Sequence, residues 1–193
     1  MILLGLTGSI GMGKSTTAAM FADAGIPVWD ADAAVHRLYQ TGGKAVPEIA
    51  AVFSQAISGG AVDRTALKSI LTKDPTALKR LEDIVHPLVA EDRRAFINNQ
   101  YCPLVVLDIP LLFETGYADK VDKIAVVSAP SAVQRERVLA RGTMTEDQFE
   151  MILKKQMPDS EKRKRADYVI ESLTLAETKA QVVAIISELT QHA

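Results

Sequence analysis

The chain has 193 residues, 48% hydrophobic and 24% charged, and its 22 Lys+Arg set against 24 Asp+Glu leave a formal net charge of −2. That balance excludes wholesale disorder, which needs low hydrophobicity and high net charge, and it supplies no global basic field for nucleic acid or an acidic membrane. The single Cys102 has no partner for an internal disulfide, and no apolar run approaches the ~20 residues that cross a bilayer, so the expectation is a cytoplasmic protein of one domain with helical insertions.

In chain order, Ile2–Thr7 is an apolar run without polar alternation, as for a strand buried on both faces, and it lacks the charged leader of an export signal. Gly8, Gly11 and Gly13 follow, then a helical pattern over 14–24 closed by Gly25 at the C′ position. Ile26-Pro27-Val28-Trp29 reads as a second strand, with Pro27 tolerable at its start. Further strands are expected at Leu104–Asp108, Lys123–Ser128 and Tyr168-Val169-Ile170. Strands separated by helices predict an α/β fold with a parallel five-stranded sheet flanked by helices.

The stretch 32–101 is far longer than the dozen or so residues a parallel crossover needs, and it reads as an inserted helical region. It carries helix starts at Asp63 and at Asp74-Pro75, the latter an aspartate cap followed by proline at the first helical position. A second insertion, 131–165, follows the strand Lys123–Ser128. Its first helix stops at Gly142, and Thr145 to Gln148 has the spacing of a capping box that opens another. A helix pair bearing Arg135, Arg137 and Arg141 has the look of a lid. The core is then 1–31 with 102–130 and 166–193.

Gly8-Ser9-Ile10-Gly11-Met12-Gly13-Lys14-Ser15 matches G-x-x-x-x-G-K-[ST] at every fixed position, between the required strand and the required helix. Glycines let successive N–H groups turn inward toward phosphate oxygens, and the helix start adds its positive end. Lys14 supplies a charge to the β and γ phosphates and Ser15 a hydroxyl to Mg²⁺, which makes this a P-loop NTPase fold. Asp108, ending an apolar strand, serves either the metal or substrate side or simply the strand terminus. The guanine-reading N-K-x-D of a switch GTPase is missing, since the only asparagines are Asn98 and Asn99. The lid arginines and the long insertion favour phosphoryl transfer to a small molecule. Asp32 is a candidate base, with a rival role as N-cap of a helix over 33–39, and Asp30 is expected to order the loop. Arg137 and Arg141 share a helix face and are candidates for the transferring phosphates. Arg135 is expected to be solvated. Lys162 to Arg165 reads as a solvated helix end, and His86 before Pro87 as a helix-end histidine or a ligand contact.

Together, GLTGSIGMGKST (5–16), DAD (30–32), IVHPLV (84–89), DIPLLFE (108–114), the lid arginines and ADYVI (166–170) resemble the dephospho-coenzyme A kinase family, in the family's order and over nearly the whole chain. The resemblance implies transfer of the ATP γ-phosphate to the ribose 3′-hydroxyl of dephospho-CoA, with Mg²⁺, in a nucleotide core, a helical CoA-binding region at 32–101 and a lid. It implies ATP binding by Gly11, Met12, Gly13, Lys14, Ser15 and Thr16, catalytic roles for Lys14, Asp32 and Arg141, and an acceptor site with Asp32, His86, Pro110, Leu111 and Glu114. No nucleic acid, membrane or obligate protein partner is implied. Three positions depart from the family's usual pattern: Ser9 where glycine is common, Ile152 where arginine is frequent, and Glu171-Ser172-Leu173-Thr174 in place of an Asn-x-Gly turn. A kinase for another small hydroxyl acceptor, such as a nucleoside monophosphate, and a nucleotide-binding regulator without acceptor are the alternatives.

Overall fold

The apolar run at the start forms strand β1 (Ile2–Thr7), which pairs in parallel on both edges and so needs apolar residues on both faces. Gly5 interrupts that run because a Cβ there would sit 3.1 Å from Leu112 Cδ2. After the glycine loop comes α1 (Lys14–Asp23), closed by Gly25 at φ 82°, then β2 (Val28–Asp30). The structure is a computed structural model that describes residues 1–191. It contains two compact units, Met1–Trp29 with Gln100–Ala193, and Asp30–Asn99.

The unit Asp30–Asn99 holds α2 (Ala31–Tyr39), α3 (Ala45–Val52), a two-residue antiparallel pair β3 (Ile57–Ser58) and β4 (Ala61–Val62), α4 (Arg64–Lys73) and α5 (Ala77–Asn98). It has its own apolar cluster, with Leu38, Ile49, Phe53, Leu67, Leu81 and Val85 buried together. Three local expectations change here. Helix α2 begins at Ala31 because the Asp30 carboxylate accepts the N–H of Asp32 at 2.7 Å and of Ala33 at 3.0 Å, so Asp30, not Asp32, is the N-cap. Helix α5 starts after Thr76. Asp74 Oδ1 accepts the Thr76 N–H and hydroxyl at 2.8 and 2.7 Å, which leaves Pro75 outside the helix rather than at its first position. That helix then runs through Pro87, so His86 lies in its interior, exposed, rather than at its end. The proline removes one donor from the Asp83 carbonyl, and the burial of Leu81 and Val85 holds the helix together across it.

The remaining elements are β5 (Leu104–Asp108), β6 (Lys123–Ser128), α6 (Ser131–Ala140), α7 (Glu146–Lys155), α8 (Asp159–Lys164), β7 (Tyr168–Glu171) and α9 (Leu175–Thr190). The sheet is five-stranded in the order β2-β5-β1-β6-β7, with Leu6 opposite Asp108 and Thr7 opposite Val126. Parallel strands bring the loops after β1, β5, β6 and β7 to one edge, where open α/β sheets bind ligands. On one face α1 and α9 contribute Ala18, Phe21, Val182 and Ile185 to a cluster with Leu4, Leu6, Leu104 and Val106. Trp29 in β2 is 2% exposed. Tyr168 Oη donates to Glu188 Oε1 at 2.7 Å and ties β7 to α9; burial, then that carboxylate, pushes the phenol up to about 12.

Candidate active site

The loop between β1 and α1 has the backbone its glycines predict. Gly11 and Gly13 hold φ of 78° and 89°, which an L side chain rarely adopts, and Gly13 is the N-cap of α1. Met12 N–H donates to Ser9 O at 3.2 Å and closes a turn at the crest, while the Thr17 hydroxyl donates to Gly13 O at 3.1 Å at its base. The loop is walled in from the β6 and β7 sides. Ala129 N–H donates to Met12 Sδ at 3.1 Å, the Ser172 hydroxyl donates to Met12 O at 2.6 Å, and a Cβ on Gly11 would lie 2.4 Å from Val138 Cγ2.

Lys14 Nζ lies 2.5 Å from Asp108 Oδ1, and the two side chains are 14% and 2% exposed. The β5 aspartate is therefore the resting partner of the loop lysine, and it stands where a strand-end acid can also serve a cation. Ser15 and Thr16 are exposed on the first turn of α1. The Ser15 hydroxyl and Asp108 carboxylate are hard oxygen donors of the kind Mg²⁺ takes. Among the described residues no group of three or more His, Cys, Asp or Glu could hold a metal, so such an ion would complete its shell with phosphate oxygens and water.

Next to the loop, Gly13, Thr16, Arg137, Arg141, Ser172 and Leu173 border a cavity of about 240 Å³. Helix α6 thus brings both paired arginines to this space, but they differ in state. Arg137 is engaged: Nη1 donates to Ser172 Oγ at 3.0 Å and Nη2 to Ser172 O at 2.5 Å. Arg141 is the exposed C-cap of α6. Arg135 is 44% exposed, as expected of a solvated arginine, and also pairs with Glu146 and with Glu150 at 3.2 Å, joining α6 to α7. Ser172, where the Asn-x-Gly turn is replaced, hydrogen-bonds the loop and Arg137 and is 7% exposed.

The other expected site residues divide between the two units. Asp32 is exposed in the first turn of α2, and His86 is exposed on α5. In the sheet unit, Pro110 O accepts from the Thr7 hydroxyl at 3.0 Å and Leu111 is 41% exposed. Glu114 has committed its carboxylate. Oε1 accepts Met157 N–H at 2.8 Å and lies 3.0 Å from Lys162 Nζ. Burial pushes the Glu114 carboxyl up, but the Met157 N–H and the ammonium outweigh it and hold the group below the usual carboxylate range. Lys162 corrects the reading of 162–165 as a solvated helix end, because its side chain is 0% exposed. Its buried ammonium has the Glu114 carboxylate as its ion-pair partner. Sequence reasoning also missed two glutamines. Gln134 Nε2 donates to Ile10 O at 2.7 Å, and Gln156 Oε1 accepts Ile10 N–H at 3.2 Å. Neither sits in a motif; the capping box at Thr145 pointed only to the helix that carries Gln156 to its end.

The sequence profile of the family described as dephospho-CoA kinase matches residues 2–177. A dephospho-CoA kinase of Cereibacter sphaeroides is 57% identical over 190 residues, 98% of this chain and 96% of that protein. Among solved structures, TT1252 of Thermus thermophilus superposes with a TM-score of 0.87 at 38% identity, over 98% of both chains. A dephospho-CoA kinase of Campylobacter jejuni shares the fold at TM-score 0.67 and 22% identity, over 98% of this chain and 97% of its own.

Proposed function

The chain belongs to the dephospho-CoA kinase family, and from that premise we propose how its residues divide the reaction. It is a kinase of P-loop fold that phosphorylates the ribose 3′-hydroxyl of dephospho-CoA with ATP as donor, the last step of coenzyme A synthesis. In the proposed reaction the N–H groups of Gly11 to Thr16 take the ATP phosphates. Lys14 exchanges Asp108 for the β and γ oxygens, and Ser15 with Asp108 would hold the Mg²⁺ that accompanies the nucleotide, which would supply screening of the phosphate charge. Asp32 accepts the 3′-hydroxyl proton as that oxygen bonds to the γ-phosphorus. The bond from the γ-phosphorus to the bridging oxygen breaks, and ADP leaves with the electron pair. Arg141 covers the charge on the phosphoryl group in transit. Arg137 stays with Ser172 as a wall of the nucleotide cavity.

His86, from 32–101 as the CoA-binding insertion, and Pro110 and Leu111, from the core, are assigned to the acceptor. Glu114, proposed beside them, acts by holding Met157 and Lys162. Residues 131–165 form the lid of this assignment, and the remainder the nucleotide core. No helix among the described residues is long and apolar enough to cross a membrane, and we place the enzyme in the cytoplasm, working on two small molecules without an obligate protein partner.

The observation that carries the reading is the glycine loop, with Gly11 and Gly13 in the left-handed region and Lys14 opening α1. The test is ADP release from Mg-ATP with and without dephospho-CoA, the product weighed by mass spectrometry. Release that depends on dephospho-CoA, with a product heavier by one phosphate, supports it; release indifferent to dephospho-CoA overturns the acceptor. Asp32→Asn should lower kcat by about 10²–10⁴-fold, the range of a lost general base, with the KM for ATP little changed. An unchanged kcat would remove Asp32 from the role.

A further inference from the structure

Ile10 stands at the crest of the glycine loop, and both of its backbone polar groups are held by side chains from 131–165. Gln134 of α6, 5% exposed, donates to its carbonyl at 2.7 Å, and Gln156, the C-cap of α7, accepts its N–H at 3.2 Å. The turn they grip, Ser9-Ile10-Gly11-Met12, is closed by Met12 N–H to Ser9 O and has Gly11 at its third position with φ 78°. That is the mark of a type II turn, which differs from type I by a flip of the central peptide, here the Ile10 carbonyl with the Gly11 N–H. In a planar trans peptide the two groups point oppositely, so drawing the carbonyl toward α6 turns the Gly11 N–H away from it. A flipped peptide would present carbonyl lone pairs where an N–H now stands and repel an incoming phosphate.

The gripping residues are themselves anchored. Next to Gln156, Met157 N–H is held by Glu114; two residues on, Asp159 Oδ2 accepts the Ser128 hydroxyl at 2.7 Å from the end of β6. Gln134 lies where α6 presses on Gly11, whose missing Cβ would meet Val138 Cγ2 at 2.4 Å and Gln134 O at 3.0 Å. We infer that Gln134 and Gln156 are positioning residues that preset the crest of the phosphate loop in its anion-accepting turn before nucleotide arrives, so that ATP meets a loop already ordered by the docked helices. This rests on the reading of the loop as the ATP site. A preset loop spares the ligand the ordering cost, so the effect should fall on ATP binding rather than on the acceptor.

The experiment compares wild type with Gln156→Met, which keeps the length and loses the acceptor, and Gln156→Glu, which keeps an oxygen at the end. Backbone hydrogen exchange at Ile10 is followed in nucleotide-free protein, alongside thermal midpoint and the KM values for ATP and dephospho-CoA. Gln156→Met should speed exchange at Ile10 and raise the KM for ATP about fivefold, the worth of one neutral hydrogen bond, while the KM for dephospho-CoA stays within about twofold. Gln156→Glu should restore the protection of Ile10. Unchanged exchange at Ile10 in Gln156→Met overturns the clamp, and so does a rise of both KM values together with a general drop in thermal midpoint. If Gln156→Met does not fold, Gln134→Met is read by the same exchange and KM pair. Because the exchange arm needs no substrate, it decides the clamp even if dephospho-CoA proves not to be the acceptor.

Discussion

Lys14 makes one contact ion pair, with an aspartate that is 2% exposed, and the chemistry proposed for it begins by giving that contact up. Asp108 is then more than a resting place if its carboxylate also faces Mg²⁺ once the lysine has moved. On that view Asp108→Asn lowers kcat about a hundredfold, comparable to the loss of one preorganised electrostatic partner, with a smaller change in the KM for ATP. A variant with full kcat and a lower KM would mean that Asp108 only competes with the nucleotide for the lysine. Asp30 and Asp32 show how much a residue's surroundings decide. Asp30 closes the helix start with both N–H bonds, which leaves the Asp32 carboxylate exposed and unclaimed by the cap. The glycine loop and the two arginines that border the cavity beside it could be picked from the sequence because each belongs to a short local pattern, and Asp32 is proposed from another. Ser172, Gln134 and Gln156 could not, because their partners lie 160, 124 and 146 positions away and no local pattern records such contacts.

At the scale of elements, the five strands of the parallel sheet were legible since an apolar run with both faces covered has few alternatives, whereas the two-residue β3 and β4 were not, and Thr145 with Gln148 opens α7 as its spacing predicts. The helix through Pro87 was not, because burial of Leu81 and Val85 overrides the local preference of proline. Nor was the burial of Lys162, whose neighbours Arg163, Lys164 and Arg165 are all exposed. That buried ammonium makes the Glu114 contact a hinge of stability for the turn between α7 and α8. Glu114→Gln leaves the buried charge uncompensated and should cost roughly 3 kcal/mol, more than Lys162→Met, which leaves Glu114 its Met157 donor and partial contact with water. The sign with pH follows from the lowered Glu114 value. Its contribution is fully present above the ordinary carboxylate range and is lost as pH falls through that range to the folded-state value. Urea midpoints at neutral pH and in mild acid should therefore converge for wild type and Glu114→Gln as pH drops; a constant gap would show that the pair does not titrate with folding.

At the scale of the whole molecule, the described residues include a sheet cluster around Leu4, Leu6 and Val106 and a separate helical cluster around Ile49, Phe53 and Leu81. Leu81→Ala removes a side chain that is 8% exposed, and a truncation of this kind typically costs about 2–5 kcal/mol. If each cluster is its own cooperative unit, the loss should appear as faster hydrogen exchange across 30–99 while β1, β5 and β6 keep their protection. Uniform acceleration along the chain would show one cooperative unit instead. Trp29 adds something to this division. It is the sole tryptophan of the chain, and it is buried in β2 at the end of the first segment of the sheet unit. An indole shielded from water emits at shorter wavelength than one in solvent, so exposure of Trp29 on unfolding shifts the emission to the red. The protein carries one intrinsic optical label where β2 runs into α2, and comparing emission with a helix-sensitive signal reports whether the shelter of Trp29 is lost together with the helices or apart from them.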